Sequence, residues 1–298
     1  MRKLLILSVV LAAVIGGSTA MAGARMTPKV VYGVDNRIDP INSMNEMFVH
    51  LSRSTAAQIS ASKLTKVKEE GFFKINDVSL EESFRVCSDE RFAEQNANAR
   101  CSGSLVGPDL LVTAGHCVDQ SACENNEFRW VFDYRNDEIV DLGIEANDVY
   151  NCKEVVHREF DSQTMSDFAL IRLDRKVTNR EPLKFRRQGK IEMDTPLVVI
   201  GHPSGLPTKI AGGATVKRNG EDYFFESDLD TFGGNSGSAV FNANTGVIEG
   251  ILVRGAQDYR IDYSRACRVV NECDSVNGRG CSGEDVTRIR KVQIEDYL

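Results

Sequence analysis

The chain has 298 residues, a net charge of −7 and 27% charged side chains. That length is enough for a buried core in one large domain or two ordinary ones. The acidic balance, with no large basic cluster, excludes a nucleic-acid partner and favours solubility.

Arg2 and Lys3 precede the apolar run "LLILSVVLAAVIGG" (4–17), and small residues follow at 18–22. This order predicts a signal peptide over 1–22, with Ala20-Met21-Ala22 as the cleavage site; a retained anchor helix is the alternative. The run is short for a membrane span and no later segment is apolar for long enough, so no membrane attachment is expected after cleavage. Export, whether secreted or periplasmic, gives the even set of eight cysteines a disulfide role. Their irregular spacing, without a CxxC pair, argues against zinc, and no metal or cofactor is expected.

Residues 23–40 read as extended and turn-rich. Residues 43–67 are helix-compatible, with Met47, Leu51, Ala56 and Ile59 at loosely helical spacing. Ser88 before Glu90, Arg91 and Phe92 reads as the cap of another short helix. Residues 23–88 are therefore expected to form a propeptide or N-terminal extension. From Cys101 onward short β-rich runs recur between turn residues, among them "GSLV", "LLVTA", "FRWVF", "FALIRL", "PLVVIG", "SAVF" and "VIEGILV". No long amphipathic helix intervenes, which predicts an all-β sandwich or barrel large enough to be two small barrels. Trp130 is a core candidate, and His50, His157 and His202 have no partner at ligand spacing. The division expected is a main β-rich domain over 89–265 and a Cys-rich tail over 266–298, ending in a helix docked on the second barrel. Cys123 and Cys152 are expected to staple the first barrel, and Cys267, Cys273 and Cys281 the tail, with Cys87 joining one of them.

Three stretches carry chemistry. "CSGSLVGPDLLVTAGHC" (101–117) is a hairpin ending in His116, with Cys101 and Cys117 at its two ends where a disulfide is expected. "SDFALIRLDR" (166–175) places Asp167 at the mouth of an apolar strand, and "TFGGNSGSAVF" (231–241) sets Ser236 among glycines. Singly, each has an ordinary structural explanation. Together they fit one requirement: a hydroxyl is a poor nucleophile unless a base takes its proton, and that base needs a carboxylate to fix its tautomer. Gly234 and Ser236 offer backbone N–H donors for a developing oxyanion.

In these motifs the chain resembles the chymotrypsin/trypsin-like serine peptidases, in the bacterial branch related to glutamyl endopeptidases. "TAGHC" with its paired Cys101, "DFALIRL" and "GGNSGSAVFN" carry the resemblance, which covers roughly 95–260. It implies two six-stranded antiparallel β-barrels with the active site between them and a partly helical N-terminal extension. It also implies Ser236 as nucleophile, His116 as base then acid, Asp167 as orienter, and the N–H groups of Gly234 and Ser236 as the oxyanion hole. The substrate is expected to be a protein or peptide, cut by a monomer.

Asn235 stands where animal enzymes of the family carry an aspartate, so their activation ion pair is not expected. "KVVYGVDNR" (29–37) resembles the mature start of some glutamyl endopeptidases, placing a second possible cleavage near Val30. Asp230, six residues before Ser236, would favour a basic substrate side chain, or would merely hold its loop. Leu252, Arg254 and Gly255 fall on the expected pocket wall, with Leu252 where a glutamate-specific enzyme is expected to have histidine. The rival reading is a catalytically silent binding protein on the same scaffold. An esterase is disfavoured because Gly-x-Ser-x-Gly fails at Ser238, and a chaperone-protease because the tail is too short for a further domain.

Overall fold

The computed structural model describes residues 31–67, 71–137, 143–276 and 281–298. The predicted signal peptide, its cleavage site and Val30 lie outside them. Two antiparallel sheets dominate. The first runs in the order Val149–Tyr150, Phe128–Phe132, Thr55–Ser60, Ala99–Leu105, Leu110–Thr113, Asp167–Leu173, Cys152–Phe160 and curls into an open half-barrel. The second runs Pro196–Gly201, Ala239–Asn242, Ile248–Arg254, Glu284–Arg288, Phe224–Ser227, Lys209–Arg218. Pairing of its first strand with its last closes a six-stranded barrel, and the short strand Arg37–Ile38 adds to the outside of Lys209–Arg218.

The strand period of two explains how the halves join. Along Asp167–Leu173, Ala169, Ile171 and Leu173 enter the core of the first sheet with Trp130 and Phe132. Phe168 and Leu170 point the other way, into a cluster shared with Val198, Ile200, Phe241 and Ile251 of the barrel. Each strand at this junction is buried on both faces, so it reads as a continuous apolar run. Asp167 is the residue where that run meets the cleft.

Several expectations need correction. Residues 43–67 form an α-helix only over Glu46–Ser52, with a 3-10 turn at Ala61–Lys63, and Thr55–Ser60 is a strand in the middle of the first sheet, between Ala99–Leu105 and Phe128–Phe132. A boundary at 88/89 thus separates strands of one sheet. Residues 88–95 form turns, while the helix nearby is Leu80–Phe84, closed by a reciprocal capping box between Ser79 and Glu82. The tail is no appendage either: Glu284–Arg288 fills the barrel between Ile248–Arg254 and Phe224–Ser227. After it come two 3-10 turns, Ile289–Val292 and Ile294–Tyr297, in place of the expected helix. They pack into the cluster between the halves, not on the barrel alone. The disulfides are Cys87–Cys267, Cys101–Cys117, Cys123–Cys152 and Cys273–Cys281.

Candidate active site

His116 sits on the tight turn Gly115–Cys117 that follows strand Leu110–Thr113. The Cys101–Cys117 disulfide ties this turn to the neighbouring strand, and the buried Gln58 amide donates to the Cys117 carbonyl at 3.0 Å. The Asp167 carboxylate, 2% exposed, uses both oxygens on one residue. Oδ1 accepts the His116 backbone N–H at 3.0 Å and Oδ2 meets ring Nδ1 at 2.7 Å. An ionised carboxylate only accepts, so the proton belongs on Nδ1 and Nε2 is left as the basic nitrogen.

Ser236 and His116 line the same cleft, of about 630 Å³, together with Gly233, Gly234, Val253 and Asp258. The serine is set by contacts from the first sheet: Ser102 N–H donates to the Ser236 carbonyl at 2.8 Å. The same residue's hydroxyl donates to the Gly234 carbonyl at 2.9 Å and accepts the His202 N–H at 3.0 Å. Gly234 has φ +94°, and a Cβ there would lie 2.4 Å from the His202 carbonyl oxygen, so the position admits glycine alone. Gly237, at φ +87°, is equally confined by the Ser102 carbonyl at 2.1 Å from a Cβ.

The peptide between Gly233 and Gly234 has a fixed orientation. Its carbonyl accepts the Ser204 N–H at 2.5 Å, and the Gly233 N–H on the preceding peptide is held by Asp258 Oδ2 at 2.9 Å. Because C=O and N–H of a trans peptide point in opposite directions, fixing the carbonyl on Ser204 aims the Gly234 N–H the other way. The next N–H, of Asn235, turns back to the Phe232 carbonyl at 2.9 Å, and buried Asn235 accepts the Ser238 hydroxyl at 3.1 Å.

The expected specificity residues are placed differently from the triad candidates. Asp230 is buried and both its oxygens accept backbone N–H groups, Tyr32 at 2.8 Å and Asn36 at 2.9 Å. Burial pushes its carboxyl up to about 6, against those two donors. Leu252 is fully buried in the barrel core beside Leu197 and Val286. Arg254 bridges the halves, donating to Asp285 at 3.1 Å and to the Met165 carbonyl at 3.0 Å. Gly255 backs onto Glu284: a Cβ there would lie 2.1 Å from the Glu284 carboxylate. That fully buried carboxylate also accepts the Thr231 hydroxyl and, at 3.3 Å, the Ala256 N–H.

Ser102, Ser204, Asp258, Gln58 and Glu284 are site residues that sequence reasoning missed. Ser102 stands beside Cys101 in "CSGS", and Ser204 in "GHPSG" (201–205). Cys101, His116 and Cys117 also converge within metal-ligand distances. The two sulfurs are bonded to each other, so the set offers one ligand, His116.

A family model for the trypsin-like peptidase domain matches residues 101–251, half of the chain. No curated protein matches the chain. Among solved structures, a Glu endopeptidase in complex with MPD is similar, with a TM-score of 0.50 and 19% identity, over 90% of this chain and 98% of that one. The serine endoprotease from Yersinia pestis gives a TM-score of 0.48 and 13% identity, over 86% of this chain and 66% of that one. At such identities the Glu endopeptidase match speaks for the fold, and its substrate remains its own. The chain belongs to the trypsin-like peptidase family, a family of serine endopeptidases.

Proposed function

We propose that the chain is an exported, monomeric serine endopeptidase in which Ser236, His116 and Asp167 act as the triad. The observation that carries this reading is the two-point grip of Asp167 on His116 within the cleft that Ser236 lines. Nε2 takes the Ser236 proton as Oγ attacks the substrate carbonyl carbon. The Gly234 and Ser236 N–H groups receive the oxyanion. Collapse breaks the C–N bond, and the imidazolium returns the proton to the leaving amine. Water, deprotonated by the same imidazole, then hydrolyses the ester and restores Ser236.

Cleavage after basic residues is the preference the local charge favours. The Tyr32 hydroxyl is held far above its usual range, first by burial and then by the carboxylates of Glu284, Glu226, Asp228 and Asp230. Glu226 and Asp228 are paired with Arg218 and Lys217, so the field that attracts a cation and repels a glutamate side chain comes from Asp230 and Glu284. Arg254, the one cation expected on that wall, is spent on Asp285 and Met165. Glu284, which lies directly behind Gly255 of the expected pocket wall, is the carboxylate assigned to this preference.

Export rests on the predicted signal, the four disulfides and the lack, among the described residues, of any helix long and apolar enough to cross a membrane. Maturation near Val30 is favoured over removal up to residue 88, since Thr55–Ser60 is a strand paired in the first sheet. The test is fluorophosphonate labelling with peptide mapping, paired with a peptide library varied at the residue before the cut. The expected result is one adduct, on Ser236, lost in Ser236→Ala and His116→Ala, and cleavage after Lys or Arg. Label retained in Ser236→Ala overturns the mechanism, and cleavage after Glu overturns the preference.

A further inference from the structure

The glycines that let the Ser236 loop turn also leave it without side chains to hold its shape. Residues 233 and 234 have wide backbone freedom, so the orientation of their shared peptide must be imposed by what flanks them. On one side stand Ser204, Ser102 and Asp258, as described above. The other side is held by a segment at the opposite end of the chain.

Resting on the reading of Ser236 as nucleophile, we propose that residues 31–39 are a permanent lock on the loop 230–236, with Asp230 and Arg37 as its positioning residues. Asp230 is the lock's anchor: the backbone N–H groups of Tyr32 and Asn36 fill its two oxygens. Arg37 is the second point. Its guanidinium, 1% exposed, lies 3.9 Å from the centre of the Phe232 ring and is held there by Asp35, at 2.9 Å from Nε and 2.7 Å from Nη2. Phe232 is fully buried in a cluster that also takes in Val31, Leu206 and Tyr259.

The segment is itself fastened at both ends, so it acts as a fixed frame. Val31–Tyr32 pairs in parallel with Glu272–Cys273, and Arg37–Ile38 pairs with Ile210 and Ala211. At its end Asp39 accepts the buried Lys209 ammonium at 2.5 Å. Arg91 adds two bonds of 2.6 Å to the carbonyls of Asp35 and Arg37. The lock thus grips the loop at positions six and four residues before Ser236, one on each side of Thr231. Asn235 carries no charge for an ion pair with a free amine, and this grip through internal backbone N–H groups needs none.

The test uses the mature protein and its Asp230→Asn and Arg37→Lys variants, with active sites counted by fluorophosphonate titration carried to completion. Asparagine turns one acceptor oxygen into a donor that faces a backbone N–H. Lysine keeps the charge beside Asp35 but loses the flat face over Phe232. In Asp230→Asn, kcat per titrated site falls about tenfold or more with KM within about twofold, because the missing contact is one made to the transition state. Arg37→Lys shows a smaller loss of the same kind. Inhibition by a peptidyl aldehyde, which forms the tetrahedral adduct, weakens by the same factor as kcat/KM.

A merely structural role lowers the number of titratable sites and leaves every per-site quantity unchanged. That result in both variants, with an active and labelled parent, overturns the lock alone. A parent that neither cleaves peptides nor takes the label overturns the reading of Ser236, and the lock with it.

Discussion

Ser102→Ala tests how much of the site depends on one hydroxyl from the first sheet. Ser102 is fully buried, and its Oγ serves two backbone groups, the Gly234 carbonyl at 2.9 Å and the His202 N–H at 3.0 Å. Removing the oxygen leaves both without this partner. At about 1–3 kcal/mol for each stranded group, and with some relaxation, the expected loss of stability is about 2–4 kcal/mol. For a chain of this size that lowers Tm by about 5–10 °C. Catalysis suffers as well, since the Gly234 carbonyl is no longer pinned. The N–H donors remain present but less well aimed, so kcat falls about tenfold, short of the 100-fold or greater loss that follows removal of a donor. Urea unfolding followed by the fluorescence of Trp130, the single tryptophan and fully buried, reads the first effect; active-site-titrated kinetics read the second. A midpoint unchanged from the parent together with kcat within twofold refutes the reasoning.

Asp167→Asn keeps the size of the orienting group but presents an amide to His116, stabilising the wrong tautomer. The expected result is a fall in kcat of about four orders of magnitude at little cost in Tm, and a loss below tenfold contradicts the assigned role. His202 governs acid sensitivity. Burial, with a smaller contribution from Lys209, lowers it to about 3, and its Nδ1–H donates to the Leu206 carbonyl at 3.1 Å. The folded form therefore stays neutral while the unfolded chain takes up a proton below its ordinary value of about 6.5. Stability is lost as pH falls from there towards 3, by about 2 kcal/mol between pH 6.5 and 5. Unfolding midpoints of the parent and His202→Asn across that range give the measurement, and parallel curves refute it.

The chemistry was legible in the sequence because each candidate triad residue lies in a short contiguous motif whose turn or strand is locally determined. Gly233, Gly234 and Gly237 announce a sharp turn wherever they occur. What was not legible depended on partners distant in the chain. Thr55–Ser60 contains Ala56 and Ala57, which favour helix on propensity. It is a strand because neighbours on both sides supply hydrogen bonds and a crowded core that takes small side chains. Asp230 illustrates the same limit: its place six residues before Ser236 was evident, but the donors that fill it come from residues 198 and 194 positions away. Glu284 lay in a stretch that looked like a polar tail, since one buried acid among glycines and serines gives no periodic signal.

The two ends of the chain are exchanged between the halves. Residues 31–52 lie against the closed barrel, with Met47 and Leu51 over Gly246, while Tyr297 stacks near His157 and Leu298 covers Gly107 of the first sheet. A ribosome therefore delivers the first sheet long before the residues that cover Val106, Leu110 and Phe168, and the half made first waits, uncovered, for the half made last. Completion is one late event for the whole molecule, and a chain cut between residues 174 and 195 yields two fragments with exposed apolar walls in place of two working modules.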